Sequence, residues 1–366
     1  MVDLPRFSDI RMMVRTTALI ALLLFSFHFG PSLGTLVQAQ ESRVLSNIVF
    51  GSCLDKTEHP MLDRTLLLPM DLFIFLGDNI YADTSDMRVM KQKYDDLKMS
   101  RFFQTLRKKT PFMATWDDHD FGPNDGGANY PMRRESQQQF FDWLDEPANS
   151  PRRQQEGVYN ASSFGPVEKR VQVIMLDTRY FRSPLKKGNL DIVPSGGSYI
   201  PNDDSQSTIL GADQWTWLEQ RLQEPATLRL IGSSIQFVAS AHGGECWSNF
   251  PHERQRLIQL IQKTRANGIV FLSGDRHWCE FSRMDGPMGY PLYDFTASSM
   301  TQVHPRGTPT PNNFRMLKKT FHQPNVGRLM IDWNQNDPSL SFQILDVDGT
   351  TQLETVLKLH ELLPIK

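Results

Sequence analysis

Asp71-Leu72-Phe73-Ile74-Phe75-Leu76-Gly77-Asp78-Asn79-Ile80-Tyr81 is an apolar run that stops at a glycine, a carboxylate and, soon after, a phenol. A short apolar run ended by a turn signal reads as a buried strand. The arrangement recurs. Pro111-Phe112-Met113-Ala114 leads into Thr115-Trp116-Asp117-Asp118-His119-Asp120, and Ile269-Val270-Phe271-Leu272 leads into Ser273-Gly274-Asp275-Arg276-His277. The shorter Ile48-Val49-Phe50 leads into Gly51-Ser52-Cys53. In α/β proteins, groups just beyond the carboxyl ends of strands line the ligand crevice. Carboxylates, an imidazole, a thiol and a phenol brought there by separate strands point to a metal centre built from distant parts of the chain.

Further along, strands alternate with helical patterns, which predicts βαβ units and a largely parallel sheet. Arg170-Val171-Gln172-Val173-Ile174-Met175-Leu176 reads as a buried strand with Asp177-Thr178-Arg179 at its end. Asp213 is placed to cap a helix whose Trp215, Leu218 and Leu222 share one face. The strand Leu228-Arg229-Leu230-Ile231-Gly232 follows, then a helix from Pro251 that stops near Gly268. After Tyr293, the runs 328–333, 340–345 and 356–359 read as antiparallel strands, with Asp348-Gly349 as the turn between the last two. The expected class is α/β, with two sheets packed together and flanked by helices. Residues 183–207 and 301–325 read as long loops, and no linker divides the chain.

The first residues stand apart. Arg11 and Arg15 precede the apolar run Ala18–Phe25, and the segment ends in Val37-Gln38-Ala39. A basic region, a short apolar region and small residues follow the order of a secretory signal peptide, and the apolar run is short for a bilayer span. Residues 1–39 are therefore expected to be a signal peptide, 40–366 a single domain, and the mature protein exported. An uncleaved anchor is the alternative, and Met12 or Met13 could be the true start.

The formal net charge of −2 gives no support for a nucleic-acid or anionic-membrane surface, and nothing implies a stable protein partner. Of the three cysteines, at least one lacks an intramolecular partner. Cys53 sits at a strand end and is the candidate ligand. Cys246 and Cys279 could pair if the fold brings them together.

A thiolate, phenolate, carboxylate and imidazole on one ion suit a strongly Lewis-acidic transition metal better than Mg²⁺. Asp118 and Asp275 add carboxylates beyond what one four-coordinate zinc needs. The set implies two or more ions sharing a bridging carboxylate, for which Asp78 is the best candidate. Two close metals clamp the attacking and leaving oxygens of an in-line displacement and acidify a water. Phosphoester hydrolysis is the class that most often needs this. Singly, each residue has a plainer reading: a capping Asp, a surface histidine, a small core cysteine. Coincidence at every strand end is a poor account of the whole set.

Gly-Ser-Cys, Gly-Asp-x-x-Tyr, Trp-Asp-Asp-His-Asp and Ser-Gly-Asp-Arg-His in this order resemble the alkaline phosphatase D (PhoD-like) group of the calcineurin-like metallophosphoesterases. The resemblance runs from about Ile48 to Gln302; residues 177–182 and 247–254 look like secondary family segments. It implies a metallophosphoesterase-like αββα sandwich that hydrolyses phosphate monoesters or diesters by metal-activated hydroxide. It implies Fe³⁺ on Cys53, Asp78, Tyr81 and His277, with Ca²⁺ beside it on Asp78, Asp118 and Asp275; other divalent metals remain open. His119 would act on the leaving group or stabilise the transferring phosphoryl. Asn124 would be a further ligand or phosphate contact, or else a turn residue. Arg179 would clamp a phosphate oxygen or form a structural ion pair. There are departures. Many relatives carry an N-terminal β-sandwich domain where this catalytic region begins almost at the cleavage point. The wider superfamily's middle histidine motif is matched only loosely by Ser234-Ile235-Gln236 or Ala241-His242-Gly243. A non-catalytic metal-dependent binding protein on the same fold is the alternative function.

Overall fold

Alternation along the strands sorts the apolar side chains into separate cores. In β1 (Asn47–Gly51) and β2 (Leu72–Leu76), Ile48, Phe50, Leu72, Ile74 and Leu76 face one way. Val49, Phe73 and Phe75 face the other. A strand buried on both faces this way belongs in the middle of layers. The computed structural model describes residues 42–189, 198–240, 243–286, 288–304 and 310–364. The expected signal segment, residues 1–39, lies outside the described residues.

The first sheet runs β12-β11-β10-β1-β2-β3 and has six strands. β1, β2 and β3 (Phe112–Thr115) are parallel. On the other side of β1 lies the antiparallel series β10 (Asn325–Asp332), β11 (Ser339–Asp346) and β12 (Thr351–Lys358). The second six-stranded sheet runs β4-β5-β6-β7-β9-β8. Its parallel centre is β5 (Val171–Met175), β6 (Leu228–Ser233), β7 (Ile269–Ser273) and β9 (Leu292–Ala297). Antiparallel β4 (Asn160–Phe164) and β8 (Cys279–Met284) form its edges.

Ile48, Phe50 and Ile74 of the first sheet share a core with Val173, Leu230, Val270 and Phe295 of the second. The outer face of the first sheet is covered by α1 (Pro60–Leu67), α2 (Met87–Met99), α3 (Arg101–Lys109) and α5 (Arg133–Trp143), after the short α4 (Asp118–Phe121). The outer face of the second is covered by α6 (Gly211–Leu222) and α7 (Pro251–Thr264). This is the expected two-sheet sandwich flanked by helices.

Details differ from expectation. Asp213 lies in the first turn of α6 rather than at its cap, where it still complements the helix dipole. Each sheet mixes parallel and antiparallel strands. Cys246 and Cys279 are buried and unpaired, as is Cys53. Part of the second long loop is clipped to β8 through Arg315 and Phe321. Among the described residues, no helix is long and apolar enough to cross a membrane.

Candidate metal centre

The turns after β1, β2, β3, β7 and β9 bring their side chains into contact. Cys53 Sγ lies 3.4 Å from Asp78 Oδ2 and 3.1 Å from Ser298 Oγ. The Tyr81 hydroxyl donates to Asp78 Oδ2 at 3.2 Å and lies 2.9 Å from His277 Nε2. The His277 amide donates to Ser298 Oγ at 2.7 Å. Ligand atoms of Cys53, Asp78 and His277 fall within 4.8 Å of one another. So do those of Asp78, Asp118 and His119, and those of Asp117, Asp118 and Asp275.

The backbone is bent to achieve this. Cys53, Asp78, Asp275 and His277 have φ of 59°, 51°, 66° and 58°. Left-handed conformations cost non-glycine residues of order 1–3 kcal/mol each and gather where function over-determines them. At Gly77 (φ +100°) a Cβ would meet Asp117 Cβ at 2.6 Å, so the turns after β2 and β3 touch only because that residue is glycine. Asp120 fastens them, accepting from the amides of Asn79 (3.1 Å) and Asp117 (2.6 Å) and from Asn79 Nδ2 (2.5 Å).

These groups are electrostatically uncomfortable on their own. Burial, then Cys53 and Asp118, push Asp78 well above the usual carboxylate range. Burial and Asp78 do the same to the Tyr81 phenol, and burial raises the Cys53 thiol. Asp275 is pushed up to about 7 by burial, against the pull of Arg276. Burial lowers His277. Of these carboxylates, Asp118 goes down, to about 2: burial raises it, but Arg179 and His119 together outweigh that. Without a cation Asp78, the Tyr81 phenol and the Cys53 thiol hold their protons; a cation displaces protons from such a set. The thiol, phenol, imidazole and carboxylates therefore fit a metal group on chemistry as well as distance.

Asn124 is exposed on the turn after α4 and makes no hydrogen bond to these side chains. Arg179 is sealed in the protein. Its Nε donates to Asp117 Oδ1 at 2.5 Å, and its Nη2 lies 2.5 Å from Glu245 Oε2. It thus forms the structural ion pair, one of the two roles open to it. Ser234 Oγ donates to Asp117 Oδ1 at 2.6 Å, behind the centre. Ala241 and His242 lie outside the described residues.

The sequence profile of the PhoD-like phosphatase family matches residues 59–355. The chain belongs to the PhoD-like phosphatase family. Alkaline phosphatase D of Bacillus subtilis (strain 168) is 22% identical over 250 residues, 57% of this chain and 41% of that protein. The chain thus spans about two-fifths of that relative's length. A solved structure described as the structure of PhoD superposes with a TM-score of 0.61 at 17% identity, covering 87% of this chain and 72% of the other. That likeness is one of fold.

In this member of the PhoD-like phosphatase family, further residues that strand-end reasoning did not assign adjoin the candidate site. Asp117 and Glu245 receive Arg179, and Arg182 lies 3.1 Å from Glu245 Oε1. Asp125 groups with Asp118 and Glu245, its amide donates to Asp118 Oδ2 at 2.7 Å, and it accepts from the Tyr199 hydroxyl at 2.5 Å. Ser298 follows strand β9 as the other candidates follow theirs, the one local signal that could have found it.

Proposed function

We propose that this chain is an exported metal-dependent phosphoester hydrolase, an alkaline phosphatase or phosphodiesterase. Cys53, Asp78, Tyr81 and His277 would hold Fe³⁺, and Asp78, Asp118 and Asp275 would hold Ca²⁺. The observation that carries this is the contact of a thiol, a phenol, an imidazole and buried carboxylates at strand ends, in a chain of the PhoD-like phosphatase family. The basic and apolar order of residues 1–39 supports export.

Bound there, the cations would supply Lewis acidity at the phosphoryl oxygens and lower the pKa of a water. The chain's own residues do the rest. Asp78 lies against Cys53 and Tyr81 and would serve both cations. His119, its amide 3.4 Å from Asp78 Oδ1, is raised to about 9: burial lowers it, but Asp83 and Asp118 outweigh that. It gives a proton to the departing ester oxygen. Arg179, Asp117 and Glu245 form the rigid charged wall behind.

The test is metal analysis of protein purified without added metals, with hydrolysis of matched aryl monoester and diester substrates under calcium and chelator controls. Iron with calcium-dependent turnover is expected, and the substrate ratio assigns monoesterase or diesterase. No bound metal, and no activity restored by iron and calcium, overturns the proposal. Stoichiometric metal with no turnover on either ester favours the binding protein.

A further inference from the structure

Arg276 stands between two candidate ligands, Asp275 and His277, and its surroundings fix its head group without satisfying it. The turn itself is set: both neighbours are left-handed, and the Arg276 amide donates back to the Gly274 carbonyl at 2.8 Å. The guanidinium carbon lies 4.5 Å from the centroid of the buried Trp278 ring. Gly244 also borders it, and a Cβ there would collide with Nη1, so that glycine makes room for the fork.

The five N–H groups of the fork have little to do. Among the described residues, the guanidinium makes one hydrogen bond, 3.5 Å from Nη1 to Asp275 Oδ2, at the outer limit of such contacts. Its Nε is buried with no hydrogen-bond partner. The other arginines near the site are occupied. Arg179 is held by Asp117 and Glu245, and Arg182 donates to the carbonyls of Ser183, Asp125 and Gly126. The Arg276 side chain is also 12% exposed where that of Arg179 is 0%.

The contact with Asp275 does not account for this cation. Asp275 groups with Asp117 and Asp118 as donors for an ion, and an ion there takes the carboxylate's charge and repels the guanidinium. A positive head group held by an aromatic face at such a place is favourable when an anion comes between.

We propose that Arg276 binds a non-leaving oxygen of the phosphoryl group and so favours phosphate monoesters over diesters. This rests on the phosphoesterase reading above. An arginine fork matches phosphate oxygens in shape as well as charge. A monoester carries two negative charges on its three non-leaving oxygens. In a diester one of those oxygens bears carbon and a single charge is left, so a further cation stabilises the monoester more.

Phenyl phosphate and methyl phenyl phosphate share a leaving group and differ by one methyl on a non-leaving oxygen. In metal-loaded full-length protein, Arg276→Met should lower kcat/KM on phenyl phosphate by about 10²- to 10³-fold, the scale of one preorganised electrostatic group. On methyl phenyl phosphate the loss should be a few-fold at most. Arg276→Lys should recover only part, because a point charge lacks the fork. Gly244→Ala, which displaces the guanidinium and leaves Asp275 and His277 in place, should shift the ratio the same way. Metal analysis accompanies each variant, and Gly244→Ala decides if Arg276→Met loses metal. A second readout needs no turnover. Phenylphosphonate, whose P–C bond resists hydrolysis, and its monomethyl ester are titrated calorimetrically into the loaded protein. The dianion should bind more tightly to the wild type, and Arg276→Met should bring the two affinities together. Equal losses on both esters, or a phosphonate preference unchanged in both Arg276→Met and Gly244→Ala, would overturn the proposal. If the loaded wild type hydrolyses neither ester, the phosphoesterase reading fails, and the phosphonate titrations still decide whether Arg276 binds a phosphoryl oxygen.

Discussion

Arg179 and Asp117 meet in an ion pair that solvent does not reach, their side chains 0% and 1% exposed. The same guanidinium also serves Glu245 and lies 3.8 Å from Asp118. Arg179→Met would strand these carboxylates in the interior, where breaking a buried pair costs about 3–5 kcal/mol. Lysine would not restore it, because a point charge cannot replace the fork. Urea unfolding of Arg179→Met and Arg179→Lys checks this. A stable variant altered only in KM would instead assign Arg179 to the substrate.

Tyr81 sets the optical signature of the proposed centre. Loaded with Fe³⁺, the protein should absorb visible light through phenolate-to-iron charge transfer, and Tyr81→Phe should be colourless at equal iron content. Spectra with matched metal analysis decide. A variant that keeps the band would place the phenol off the metal.

Asp275 is left-handed, a conformation asparagine also tolerates. Asp275→Asn should keep the fold by circular dichroism while kcat/KM falls by about 10²–10³ or more, the scale of losing one preorganised electrostatic group. Near wild-type turnover would remove Asp275 from the site.

Gly77 leaves no room for a methyl group against Asp117. Gly77→Ala should lose more than about 1 kcal/mol, since alanine is strained at positive φ. It should also weaken metal binding, because Asp78 is the next residue. Calorimetric titration with the metal alone reads the second effect.

The metal-free protein should lose stability as pH rises. Asp120 and Asp275 are raised to about 7, both by burial, and Asp125 to about 6 by burial and Glu245. Such acids bind protons more tightly folded than unfolded. Their stabilisation is complete below the unfolded value near ~4 and is lost as pH climbs through the folded value. His119, raised to about 9, acts in the same direction up to that pH. Asp118, lowered to about 2, opposes only below ~4, and His277, His59 and His322, lowered by burial, oppose below about 6.5. Unfolding midpoints in chelator should therefore fall from about pH 6.5 to about pH 8, and added cation should stabilise more at the upper end, where it competes with fewer protons. A midpoint that rises with pH would contradict these shifts.

The sandwich and the contact of Cys53, Asp78, Tyr81, Asp118 and His277 were legible because each follows an apolar run, and parallel strands end on a common edge. The charges behind them were not. Asp117, Arg179 and Glu245 find one another across long separations, and no local pattern records which buried acid meets which base. Glu245 lies in an irregular glycine-containing stretch with no strand directly before it. β4, Asn160-Ala-Ser-Ser-Phe164, is too polar to read as a strand; it exists by pairing with β5 at a sheet edge. Asn124 is exposed, and its neighbour Asp125, which no local pattern singled out, groups with Asp118 and Glu245.

β1, which leads to Cys53, is hydrogen-bonded on one side to β2 and on the other to β10, a strand that begins only at Asn325. A nascent chain thus presents its thiol and its Gly77-Asp78 turn long before the strand that closes the other edge of β1 exists. Such non-local closure is slow and comes late. Capture of the proposed ions would accordingly be an event of the finished polypeptide, after β10 has docked on β1.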